Sequence, residues 1–122
     1  MKSKVILTLG GLFIGLCLTI FRPVPTPTID NTFIFSDEVE NIWEGGINDI
    51  QFSFKYSNKT PYINRGLEQG LDIQELKKQL LGKKAHFKFI DHWTPLDFSN
   101  SSPPVAYIET DDNNVLYDVI RD

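Results

Sequence analysis

The chain's 122 residues leave room for one folded domain, and 16 acidic against 12 basic side chains give it a net charge of −4. That balance repels a phosphate backbone, so nucleic acid is excluded as a partner. One cysteine, Cys17, rules out a disulfide framework, so any fold must be held by packing, for which nine phenylalanines, four tyrosines and two tryptophans are available.

After Met1-Lys2-Ser3-Lys4 comes "VILTLGGLFIGLCLTIF", residues 5–21, with no charge in seventeen positions. A helix of that length rises roughly 25 Å, the lower edge of what crosses a bilayer. The small residues a signal peptidase needs are found only at Gly15-Leu16-Cys17, inside the apolar run. Cleavage and lipid attachment at Cys17 are the two alternatives; the first would cut inside the apolar run, and the second normally wants Gly, Ala or Ser where Leu16 stands. The reading is therefore a retained signal anchor over residues 1–22, contacting the membrane through residues 5–21. Lys2 and Lys4 precede the run and only Arg22 follows it, which keeps the N-terminus cytoplasmic and places the remainder outside. The expected localisation is thus single-pass in a membrane, with an extracytoplasmic C-terminal domain.

"RPVPTPTID", residues 22–30, has prolines at alternate positions. Proline fixes φ and lacks a donor, so residues 23–31 read as an extended, semi-rigid stalk. The exterior part, residues 23–122, carries 9 basic and 16 acidic side chains, a net charge of −7.

Residues 32–122 read as a small α+β domain. "TFIF", residues 32–35, is a brief strand candidate, followed by an acidic link over residues 36–44 and a turn at Gly45-Gly46. In "DIQFSFKY", residues 49–56, Ile50, Phe52, Phe54 and Tyr56 alternate with polar residues, the period of a half-buried strand. "YIN", residues 62–64, is its return. Asp72 is a helix N-cap with Glu75 three residues on, Ile73, Leu76 and Leu80 make an apolar stripe with Leu81 beside them, and Gly82 ends the helix. "KKAHFKFI", residues 83–90, alternates again, with Ala85, Phe87 and Phe89 on one face and His86 and Lys88 on the other. "VAYIET" and "VLYDVI" flank "DDNN", residues 111–114, as a hairpin in which either asparagine takes positive φ. Strands, one helix, then three more strands predict a curled antiparallel sheet or a partly closed barrel of OB or SH3-like type, with the helix plugging one end.

The chemistry-bearing residues are sparse. No cysteine lies outside the apolar run, no serine sits in a strand-to-helix elbow, and the two histidines lack metal-ligand spacing, so no catalytic set, metal or cofactor is expected. "DDNN" lacks the downstream glutamate of a calcium loop. His86 reads as an exposed histidine, and Trp43 as a lid on the core. The binding candidates are Asp91, His92, Trp93 and Asp97 in the loop "DHWTPLD", with Arg65 of "YINRG" as a carboxylate or phosphate clamp. The simpler account has Arg65 paired with a neighbouring carboxylate and Trp93 pinning a long proline-punctuated loop. Asn58-Lys59-Thr60 and Asn100-Ser101-Ser102 are formal glycosylation sequons.

These features predict a membrane-tethered extracytoplasmic interaction module, non-enzymatic, whose partner is a protein. One alternative is a small ligand-binding or enzymatic domain using the Asp91-His92-Trp93 loop with Arg65. Another is an inhibitor or immunity-type protein with an acidic binding face.

Overall fold

The computed structural model describes residues 24–92 and 99–121. Its order is β1 (Thr32–Gly45), β2 (Asp49–Phe54), β3 (Tyr62–Ile63), a 3-10 turn (Gly66–Gln69), α1 (Ile73–Leu80), β4 (Lys84–Ile90), β5 (Val105–Thr110) and β6 (Val115–Asp118). The six strands form one antiparallel sheet in the order β3-β2-β1-β4-β5-β6. The expected α+β curled sheet is present, but the barrel is not. Edge strands β3 and β6 do not pair with each other, so the sheet stays open.

The expectation of a short strand and an acidic link also fails, because β1 runs through both. Its first half, Thr32 to Glu38, pairs with β4, and its second half, from Val39, pairs with β2. Between Val39 and Asn41 the register slips, so Glu40 is an extra residue. Before the slip the odd positions Phe33, Phe35, Asp37 and Val39 face inward; after it Ile42 does. A bulge inserts one residue, and because side chains alternate with period two it exchanges the faces. No uninterrupted alternation exists for a sequence reading to detect.

The bend brings β2 and β4, which are not neighbours in the sheet, face to face. Phe87 contacts both Phe52, at 5.4 Å between ring centroids, and Phe54, at 5.2 Å, in edge-to-face geometry. Phe35 lies 5.0 Å from both Phe54 and Phe89. Such ring pairs contribute beyond their buried area. Tyr56, expected on this face, is 78 % exposed because β2 ends at Phe54.

α1 closes the concave side. Asp72 caps it by accepting from the Gln74 N–H, whereas Glu75 accepts from Gln79. Leu76 and Leu80 are buried in the phenylalanine core and Ile73 packs against it. Leu81 falls outside the stripe: it leaves the helix and is exposed, and Gly82 turns with φ +71°. The Gly82 N–H donates to the Val39 carbonyl, tying the helix end to the bulge.

Residues 24–28 form no strand, yet they are attached. The Arg121 N–H donates to the Pro27 carbonyl at 2.8 Å. Asn31 accepts from the Thr28 N–H and donates to the Thr26 carbonyl, folding the segment back on the domain. The apolar run at residues 5–21 lies outside the described residues; among those described, no helix is long and apolar enough to cross a membrane.

Candidate functional site

Arg65 sits where the chain leaves β3. Its φ is +49°, a conformation bulky residues seldom adopt, and its N–H donates to the Asp49 carboxylate at 2.8 Å. The next residue explains the turn. A Cβ at Gly66 would stand 2.7 Å from Ile50 Cδ1, so the chain packs against the core only where it has no side chain. The Arg65 guanidinium then lies 3.6 Å from Glu68, with both groups at least half exposed. This is a local staple.

Asp91 and His92 follow β4. The Asp91 N–H donates to the Asn31 carbonyl at 2.7 Å, extending the β1–β4 ladder, and its side chain is exposed while His92 is half-buried. Trp93 and Asp97 lie outside the described residues, as does the expected pinning of the loop by Trp93. The returning half of the loop is attached along β3. The Lys59 ammonium donates to the Asn100 carbonyl, the Thr60 N–H to Ser101 and the Tyr62 N–H to Pro103, and Pro103 and Pro104 are buried. Of the candidates, the structure thus places Arg65 after β3 and Asp91 and His92 after β4, with no hydrogen bond or ion pair between Arg65 and either of them among the described residues.

The other histidine is the connected one. His86 stands opposite Ser36 across the β1–β4 ladder, with Nδ1 2.7 Å from Ser36 Oγ and Nε2 3.0 Å from Asp111 Oδ1. The tautomer satisfying both contacts donates from Nε2 to the carboxylate and accepts the serine hydroxyl at Nδ1. Ser36, His86 and Asp111 are separated by 50 and 25 positions, and only the strand register unites them. Nothing in a linear reading marks His86 as more than an exposed side chain.

The serine–histidine–aspartate order invites comparison with acyl-transfer triads, which need N–H donors converging where an oxyanion forms. The odd residues Phe35 and Asp37, on either side of Ser36, direct their N–H groups into the ladder with β4, as the Asp91–Asn31 bond fixes for this register. The contacts among the three fasten the β5–β6 turn to β1.

That turn is itself well ordered. Asn113 has φ +66°, and the Thr110 hydroxyl donates to Asp112 at 2.6 Å while accepting from the Asn114 N–H. The hydroxyl's donated bond holds the Asp112 carboxyl below the usual range. Among the described residues no group of three metal-binding side chains occurs, at this turn or elsewhere.

The same register exposes a backbone edge. Odd residues of the first half of β1 hydrogen-bond to β4, so the even residues point their N–H and C=O groups the other way. Glu38 is met there, its carbonyl accepting from the Lys55 N–H at 3.0 Å. β2 has ended by then, and among the described residues the backbone groups of Ile34 and Ser36 have no partner strand on that side. Ile34 is 73 % exposed on the outer face, beside a hollow of about 400 Å³ lined with Lys88, Tyr107 and Glu109. The Lys88 ammonium lies 4.5 Å above the Tyr107 ring, and the Tyr107 hydroxyl donates to Glu109 at 2.8 Å. That donated bond leads the causes raising the Tyr107 phenol above its usual range.

Trp43, expected as a lid on the core, stands on this outer side as well. Ile42 next to it points inward, and the indole donates to Gln51 at 3.1 Å. A scan of protein families, a search of curated proteins and a search of solved structures each return no match to this chain.

Proposed function

We propose that this chain is a membrane-tethered extracytoplasmic interaction module without catalytic activity, and that its partner is a protein adding an extended strand along the open edge of β1. The observation that carries the reading is that, among the described residues, no strand pairs the outward backbone groups of Ile34 and Ser36, and the Ile34 side chain is 73 % exposed. Unpaired strand edges are templates for main-chain pairing, and a neighbouring hollow for an alternate side chain supplies selectivity. The hollow over Tyr107 is such a recess, lined by Ile34 and Tyr107 together with the polar His86, Lys88 and Glu109. The charge-free run at residues 5–21 and the lysines before it support the tether and its orientation.

A benzophenone amino acid placed at Ile34 of the full-length chain in its own membranes tests this. A discrete cross-linked adduct is expected at Ile34 and none at Gln74, which is exposed on the far side of α1. Ser36→Pro removes an N–H directed at the open edge and leaves the β4 ladder bonds in place, so it should abolish the adduct in a chain that still folds. Adducts at Gln74 but not Ile34, or an adduct indifferent to Ser36→Pro, would overturn the strand-addition reading.

A further inference from the structure

We infer that the end of the domain carrying the docked 24–31 segment rests on the bilayer surface, with the lipid headgroup layer as its binding partner. The inference rests on the tethered reading above and concerns how the domain is held. A proline-rich stalk would leave the domain free to tumble at a distance, but the segment is fixed to the domain. Pro27 is bonded to Arg121, Asn31 clamps Thr26 and Thr28, and Val24 already lines a groove with Tyr62, Gln69, Tyr117 and Val119. Only residues 22 and 23 separate that docked segment from the last apolar residue, Phe21. Three residue steps of extended chain reach about 10 Å at most. The headgroup layer on each side of the hydrocarbon core is itself ~5–7 Å deep. The tether is consumed in crossing it.

The surface brought down is suited to that layer. Val24 in the groove is 45 % exposed and Ile29 of the same segment 67 % exposed, and Tyr62 and Tyr117 combine a ring with a hydroxyl, the amphipathic form that settles at membrane–water boundaries. Asp30, Asp91 and Asp118 are exposed near this end, with Arg121 beside them and Arg22 in the link, so the mixed charge fits zwitterionic rather than anionic headgroups.

The test uses full-length protein in phosphatidylcholine vesicles, with Cys17→Ser and a single fluorophore at Gln69→Cys or, at the end of β4 away from the 24–31 segment, at Lys84→Cys. Both positions are exposed. A quencher attached to the lipid headgroup should quench the Gln69 label several-fold more than the Lys84 label. Equal quenching in protein that floats with the vesicles would overturn the inference and leave the tether standing. Protein that does not float with the vesicles would overturn both.

Discussion

Leu76 and Leu80 are the residues through which α1 is held, since both are buried in the phenylalanine core while the helix has only eight residues. So short a helix does not persist by propensity. Leu76→Ala should therefore cost ~2–5 kcal/mol in urea unfolding. Asp72→Ala, which removes one capped N–H, should cost ~0.5–2 kcal/mol. Tyr117 gives a pH prediction. Burial raises its phenol above the usual range, with a smaller opposing effect from its bond to Gln69. A raised pKa means the folded state favours the neutral phenol. The resulting stability is complete below the unfolded pKa of about 10 and is lost as pH rises through the folded value. Thermal scans across alkaline pH should show falling stability, with Tyr117→Phe flattening the fall; an unchanged profile would mean the ring is not buried as described.

At the scale of elements, the bulge in β1 is the decisive feature. Deleting Glu40 would remove the bulge and restore uninterrupted alternation with Phe35, Val39 and Ile42 all still on the inward face. The deletion shortens β1 between its β4-paired and β2-paired halves, so it should destabilise the domain without reversing its core face, while Glu40→Ala, at an exposed site, should change stability by no more than ~0.5 kcal/mol. Circular dichroism of the two variants separates the number of residues from their identity. The turn after β3 gives a second check. Gly66→Ala places a methyl against Ile50 and Ile63, and overpacking of this kind costs ~1–3 kcal/mol. The clasp of Ser36, His86 and Asp111 is a weaker device. Asp111 is 66 % exposed, so Asp111→Ala should cost ~1 kcal/mol or less.

For the whole molecule, the sheet is open because β3 has two residues and β6 four, too short and too far apart in strand order to meet. Segments 24–28 and 99–104 lie along those short strands instead, through Pro27 to Arg121 and through Ser101 and Pro103 to Thr60 and Tyr62. Among the described residues no group of three metal-binding side chains occurs and the core is aromatic and aliphatic, so chelator treatment should leave the melting temperature unchanged. Full-length protein is expected to remain in the membrane after alkaline extraction, and a mature chain beginning at Leu18 or later would end the anchor reading.

Local chemistry sufficed for whatever repeats along the chain within a few residues. The alternation of Ile50, Phe52 and Phe54, that of Ala85, Phe87 and Phe89, the Asp72 cap with its leucine stripe, and a positive φ at Asn113 are all legible, because each depends on neighbours at fixed short spacing. β1 was not legible, since its bulge exchanges faces halfway and its acidic outward residues resemble a loop. The pairing of His86 with Ser36 and Asp111, the local fate of Arg65, and the open edge at Ile34 were decided only by tertiary register. Hydrogen bonding between strands joins residues dozens of positions apart, and no local periodicity encodes which strand ends before its neighbour does.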